Sequence, residues 1–328
     1  MSTLKDVAER AGVTVTTVSR VINNRGYISE KTRKKVFDVI EEIGYHPNEV
    51  ARSLSKRHTN MFGVIVPRID HPYYSMLVGG LEAAAAEEKC KILLCCTNEK
   101  QEGEKKLIEL FEEARVSGII LCVGSTWNER SADLEVPVVV VGGLTEMRSC
   151  SIQCDNYEGG ELAADCLIRL KCKSVAYIEK NEYKMIPDNM RRKGFIERCR
   201  EKGVKCSEIT VTEELHCAKE IACALKKYPG TDGIFTGGDL IAAEALKACA
   251  IIGKKVPEDV NVIGFGDTDA ALLTTPTLTS IRQPVREMAC LAVKTIVKKE
   301  KGEIVPNKMV LPVKIVERGT TGQTEEIK

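Results

Sequence analysis

The chain has 328 residues, 43% of them apolar and 29% charged, with 48 Lys/Arg against 47 Asp/Glu. That much apolar material fills a sizeable core and leaves room for two or three domains, which excludes a disordered or wholly nucleic-acid-coating polypeptide. Charge is unevenly placed: residues 1–60 hold 11 Lys/Arg against 7 Asp/Glu, the remainder 37 against 40, so a small basic unit precedes a slightly acidic body. In that basic unit, Leu4, Val7, Ala8 and Ala11 recur at helical spacing and Gly12 breaks the pattern. Thr14 offers a hydroxyl cap to a second helix striped by Val18, Val21 and Ile22. Two short helices across a tight turn make a helix-turn-helix layout. The second helix turns Val15, Thr16, Thr17 and Arg20 outward, a set of methyls, hydroxyls and one guanidinium that suits a DNA major groove. An ordinary helical hairpin with a polar face shares that pattern.

Ser29 caps a third predicted helix with Val36, Val39, Ile40 and Ile43 on one face and Lys31, Arg33, Lys34 and Lys35 in its first turns. Those cations either meet phosphates or form a solvated face. Tyr45-His46-Pro47 ends the helix, and Asn48–Ser55 is a short segment of helix formers followed by Lys56-Arg57.

From Met61 the rhythm changes. Apolar runs predict strands at Phe62–Val66, Ile92–Cys96, Ile119–Val123, Val138–Val141, Val175–Ile178, Ile234–Thr236 and Val262–Phe265. Helical patterns alternate with them near 74–89, 103–116, 157–170, 191–202, 217–227 and 239–252. This alternation predicts βαβ units and parallel sheets covered on both faces, in two lobes. Ligands bind off the carboxyl ends of such strands, where Pro67-Arg68-Ile69-Asp70, Gly124-Ser125-Thr126, Gly142-Gly143, Gly237-Gly238-Asp239 and Gly266-Asp267 fall. Gly79-Gly80, inside a helical pattern, marks close helix packing. The polar stretch 319–328 reads as a disordered tail without a leucine heptad for tetramer formation.

The 14 cysteines include no CxxC pair, and His46, His58, His71 and His216 are scattered. Free thiols acting as small apolar side chains are expected, with no metal and no cofactor. No apolar run reaches transmembrane length and no signal-peptide pattern leads the chain, so a cytoplasmic protein without a membrane partner is expected. A GxSxG elbow, a P-loop and a GxGxxG loop are all missing, which argues against an enzyme. A transporter's solute receptor would share the α/β body but not the basic front unit.

The text LKDVAERAGVTVTTVSRVINNRGYISEKTRKKV, then GYHPNEVARSL, DNYEGGELAADCLI, GGDLIAAEAL, VPEDVNVIGFGD and PTLTSIRQP, closely resembles the LacI/GalR family of transcription regulators. The resemblance implies a headpiece at 1–46, a hinge at 47–59 and a core at 60–318 made of two flavodoxin-like, periplasmic-binding-protein type lobes, crossed by the chain near 155–162, 280–286 and 305–315. It further implies a homodimer on a palindromic double-stranded operator, tuned by a small-molecule effector between the lobes. Val15, Thr16 and Arg20 match the base readers, with Thr17 and Ser19 holding phosphate or the helix turn and Ser29, Lys31 and Thr32 toward backbone phosphate. Leu54, flanked by Ala51 and Ser55, matches the hinge leucine that wedges into the minor groove. For the effector, the resemblance points to Tyr73 and Tyr74, either stacking on a ring or packing the core, and to Arg191, a clamp for hydroxyls or a carboxylate. Asp239 matches a cleft acid and equally suits a helix N-cap; Asp155 reads as a cap. The strand ends add Ser125 and Asp267. Many sugar-responsive members carry aspartates where this chain has Gly142 and Gly266, which makes the cleft less negative. A sugar or sugar phosphate is the implied effector, a nucleobase or other metabolite the alternative; the headpiece text and SIRQP resemble sucrose-type repressors.

Overall fold

A computed structural model describes residues 2–22, 24–45, 59–97, 103–122, 136–142, 149–181 and 189–322. It contains two compact units, Met1–Thr59 and Asn60–Lys328. In the first, α1 (Leu4–Ala11), α2 (Val15–Ile22) and α3 (Glu30–Glu42) surround one apolar cluster of Val7, Ala8, Ala11, Val18, Val21, Val36, Val39 and Tyr45. Local chemistry sets each boundary. Thr3 and Asp6 form a reciprocal capping box on α1, with Thr3 N–H donating to Asp6 Oδ2 at 2.7 Å. Gly12, at φ 59°, ends α1 in the left-handed region. Thr14 accepts the Thr17 N–H at 3.2 Å, and Ser29 accepts the Thr32 N–H at 3.3 Å, so both predicted caps are made.

The second unit begins with β1 (Met61–Val66), α4 (Pro72–Glu87), β2 (Lys91–Cys96), α5 (Gly103–Glu113), β3 (Gly118–Leu121), β4 (Val138–Val141) and β5 (Cys150–Cys154). Its second half holds α6 (Asn156–Arg169), β6 (Ser174–Lys180), α7 (Met190–Glu201), β7 (Lys205–Val211), α8 (Ala218–Leu225), β8 (Gly233–Thr236), α9 (Asp239–Ile251), β9 (Asn261–Gly266), α10 (Asp269–Leu273) and β10 (Thr279–Arg282). The last elements are α11 (Val285–Glu300), β11 (Lys308–Leu311) and β12 (Lys314–Val316). They form two six-stranded sheets, ordered β11-β5-β4-β3-β1-β2 and β12-β10-β9-β8-β6-β7. All pairings are parallel except β12 with β10. Central strands such as β3 and β4 are buried on both faces, which is why they read as unbroken apolar runs.

The chain passes between lobes at Asp155, at Gln283-Pro284 and at Pro312-Val313, inside the three ranges the resemblance implies. Strands β5, β7, β10, β11 and β12, with helix α11, lie outside the elements predicted from apolar runs. In β5 (CSIQC) and β10 (TSIR) the reason is composition: small polar side chains and cysteines interrupt the apolar run, and in β10 Thr279 and Ser280 find tertiary partners in Thr321 and Asp239. The stripe Val285, Met288, Ala289, Ala292, Val293 and Ile296 that buries α11 is itself helical in period. Gly80 packs α4 on α11, since a Cβ there would stand 3.0 Å from that of Ala289, whereas Gly79 faces open space.

The expected tail at 319–328 is corrected over its first four residues. Thr320 and Thr321 are buried. Thr279 N–H donates to Thr320 Oγ1 at 2.8 Å, and Gly322 N–H donates to Asn261 Oδ1 at 2.9 Å. The Thr320 hydroxyl, which reads as a polar tail residue, bonds the backbone of both β10 and β9, and the Thr321 hydroxyl pairs with that of Thr279. Residues 323–328 lie outside the described residues. Most cysteines are free and buried, six of them in the main apolar cluster. Among the described residues no helix is long and apolar enough to cross a membrane.

Candidate functional site

On the first unit, α2 presents Val15 (45% exposed), Thr16 and Arg20 to solvent. Together with Ser19, Arg25 and Gly26 they line one open concave surface. Arg25 arrives there because the chain reverses just past α2. Asn24 (φ 51°) and Gly26 (φ 72°) are both left-handed, and Arg25 N–H donates to the Arg20 carbonyl at 3.0 Å. Sequence reasoning did not single out Arg25; the Asn-Arg-Gly turn was the available signal. Thr17 is half-buried and its hydroxyl lies 2.9 Å from that of Thr14, a contact that favours the helix turn over phosphate among the two roles open to it. Ser29 and Thr32 hydroxyls are likewise paired at 2.9 Å at the start of α3, beside exposed Lys31. A helix N-terminus beside a cation suits a phosphate. Ala51, Leu54 and Ser55 lie outside the described residues.

In the two-lobed unit, the second lobe's Arg191 is placed by glycine. A Cβ on Gly160 would stand 2.2 Å from the Arg191 carbonyl oxygen, and one on Gly194 would stand 2.2 Å from the Tyr157 carbonyl oxygen. Only bare backbone lets α6 and α7 approach this closely. The Arg191 guanidinium lies 3.3 Å over the Phe265 ring centre, donates through Nη1 to the Gly237 carbonyl and through Nη2 to Asn156 Oδ1 at 2.9 Å. Its Nε is buried without a hydrogen-bond partner. Asn156 follows the first crossing, so the clamp is bonded to the joint between lobes. Phe265 and Asn156 escaped sequence reasoning, and Gly237 was marked only as a strand end, because their role depends on where Arg191 lands.

The first lobe answers with aromatics. Tyr73 and Tyr74 meet edge-on with ring centres 5.2 Å apart, and a Cβ on Gly142 would lie 3.3 Å from Tyr73 Oη. Burial pushes the Tyr73 phenol well above its ordinary range, with the Arg191 charge pulling the other way. His71 accepts the Tyr73 N–H through Nδ1 at 3.2 Å, leaving Nε2 to face Glu214 of the second lobe at 3.4 Å. Burial raises the Glu214 carboxyl, yet the hydrogen bond and charge of His71, with Lys180 and Arg68, hold it below its ordinary value. This pair spans the lobes, and the sequence did not announce it.

Two predicted cleft acids are corrected. Asp239 is 3% exposed and accepts Thr268 N–H at 2.7 Å, Thr268 Oγ1 at 2.9 Å and Ser280 Oγ at 2.6 Å. It neither faces the cleft nor caps its own helix, whose N-cap is Gly238; it ties α9 to the ends of β9 and β10. Asp267 is held between Arg282 Nε and Arg318 Nη2, the latter at 2.6 Å, so its charge is already neutralised. Asp155 caps α6 as expected, accepting Glu158 N–H at 2.9 Å. Ser125 lies outside the described residues, and no metal-holding cluster occurs among those described.

Residues 3–48 match the family described as bacterial regulatory proteins, lacI family, and residues 164–321 match the periplasmic binding protein-like domain. The ribose operon repressor of Halalkalibacterium halodurans is 31% identical over 98% of this chain and 97% of its own length. The lac repressor dimer bound to operator and an anti-inducer shares the fold, with a TM-score of 0.87 at 24% identity over 98% of this chain and 99% of the other. A LacI-type regulator from Alkaliphilus metalliredigens complexed with D-xylulofuranose is 28% identical, with a TM-score of 0.73 over 81% of this chain and 100% of the other. The full-length likeness, joined to a helix-turn-helix unit and a two-lobed body, leads to one conclusion: the chain is a DNA-binding regulator belonging to the lacI family of bacterial regulatory proteins.

Proposed function

We propose that the chain acts as a homodimeric transcriptional repressor whose two headpieces read half-sites of a palindromic operator, with a sugar or sugar phosphate between the core lobes as effector. The observation that carries the DNA half is the exposed face of α2, where Val15, Thr16 and Arg20 share a concave surface with Arg25. Methyl groups suit thymine, and an arginine suits guanine O6 and N7. Arg25, Lys31 and the start of α3 position the unit on phosphate. Leu54 acts as the minor-groove wedge.

The effector half is supported by Arg191, Phe265, Tyr73 and Tyr74 near the first crossing, and by the sugar-linked relatives. An effector that favours one lobe angle biases the dimer toward one hinge geometry, so effector and operator alter each other's affinity by the same factor. The chain works by binding, in the cytoplasm, without a chemical step. Selection from random duplexes followed by anisotropy titration tests this: a palindromic consensus is expected, and Arg20→Ala lowers specific affinity while salt-sensitive non-specific binding persists. Enrichment of no symmetric site would defeat the proposal.

A further inference from the structure

The contact between His71 and Glu214 joins the lobes far from the chain crossings. His71 opens α4 of the first lobe, and Glu214 follows β7 of the second. Two crossings leave the second sheet at β10 and β12, and α6, which follows the other, packs against both. Strand β7 is the opposite edge of that sheet, four strands from β10 and five from β12. At ordinary strand spacing that is a lever of about 19–24 Å. A relative rotation of about 10° about the crossings moves a contact there by about 3–4 Å, enough to part atoms 3.4 Å apart. The imidazole is committed at both nitrogens. Nδ1 accepts the Tyr73 N–H at 3.2 Å and so caps α4, which puts the proton on Nε2, facing Glu214 Oε2. The two side chains are 18% and 13% exposed, so their bond is less screened than a surface pair. The neighbouring ion pairs, Arg68 with Asp70 and Lys180 with Glu213, each join residues of one lobe. The His71 ring also meets Tyr74 edge-on at 5.5 Å, and Tyr74 meets Tyr73 at 5.2 Å. The bridge therefore rests against the aromatic pair of the candidate cleft.

Resting on the proposed coupling of lobe angle to operator affinity, we infer that His71 and Glu214 form a latch across the cleft. The latch holds the lobes at this angle without effector and sets the basal operator affinity. A small turn breaks it because it sits far from the pivot, whereas contacts beside the crossings survive the same turn. It biases the equilibrium by no more than its own strength, so its removal moves populations by a modest factor.

Two substitutions cut the latch from opposite sides. His71→Asn keeps an acceptor for the Tyr73 N–H, since asparagine is a strong helix cap, but is too short to reach Glu214. Glu214→Ala removes the acceptor, and Glu214→Gln keeps a carbonyl oxygen for the imidazole N–H. Hydrogen exchange read by mass spectrometry on the full chain, without DNA or effector, reports on the latch itself. Glu214→Ala should speed exchange in residues 70–77 of the first lobe, and His71→Asn in residues 212–217 of the second, each about two- to fivefold. Anisotropy on the operator obtained by selection from random duplexes reports on the consequence. Both variants should shift unliganded affinity in the same direction by about two- to fivefold, the double variant by no more than either, and Glu214→Gln by less. Faster exchange confined to the substituted lobe overturns the latch, and so do shifts that add in the double variant. Faster exchange in both lobes with operator affinity unmoved overturns the basal role and counts against lobe-angle coupling. Selection that yields no symmetric site counts against the palindromic-operator reading, while the exchange arm still decides the latch.

Discussion

The face of α2 and the sheet edge around Arg191 use polar side chains in opposite ways. On α2, Thr16 and Arg20 stand in solvent over a core of valines, so their hydrogen-bonding capacity is reserved for a partner. Around Arg191, polarity is mostly consumed internally: Asp239 accepts three hydrogen bonds and Asp267 two guanidinium contacts. A charged residue at a strand end is therefore weak evidence for ligand contact. An exposed one on a helix held by a small apolar core is stronger, because nothing else explains its placement.

Mutations can break that contrast. Asp239→Ala should have the largest effect, lowering core stability by about 3–5 kcal/mol, because removing a buried, hydrogen-bonded carboxylate strands its donors. Chemical denaturation measures it, and a loss under about 1 kcal/mol would return Asp239 to the list of ligand contacts. Gly160→Ala should cost about 2–3 kcal/mol, since the new methyl meets a backbone carbonyl that cannot yield without moving α7. In contrast, Arg20→Ala should leave the melting temperature of the protein almost unchanged and weaken specific operator binding by about 1–3 kcal/mol. A destabilised Arg20→Ala variant would show that the α2 face is structural after all.

The smallest effect concerns the pair between lobes. Glu214 has a folded pKa below its ordinary 4.5. Its pairing with His71 therefore stabilises fully above that value and is lost as pH falls through the lower folded one. The stability advantage of the parent over Glu214→Gln, about 0.5–1 kcal/mol for a half-buried pair, should persist from neutral pH to near 4.5 and fade below it. An advantage that survives full protonation of the carboxylate in acid would refute the assignment.

Legibility followed the distance over which residues interact. In the headpiece, caps and apolar stripes act within four residues, so Thr14, Ser29, Gly12 and the valines of α2 could be read directly. Even there, Thr17 was left between phosphate and the helix turn, and only its contact with Thr14 one turn earlier favours the turn. In the body, strands that are buried on both faces announced themselves as valine and isoleucine runs. Strands β5 and β10 did not, because serines, threonines and cysteines break the apolar run; in β10, Thr279 and Ser280 become core residues through Thr321 and Asp239. The tail misread at Thr320 has the same cause.

By itself, the sequence determined the three-helix front unit and the alternating α/β body, since periodicity, caps and continuous apolar runs are local properties; Arg191 was named by the family resemblance alone. Tertiary structure alone decided what surrounds that arginine. Phe265, Gly237 and Asn156 come from three separate elements, and Gly160 brings the backbone of α7 close enough to place the guanidinium among them. Whether a carboxylate waits for a ligand or is spent within the fold depends on donors far along the chain, and no local pattern encodes their arrival.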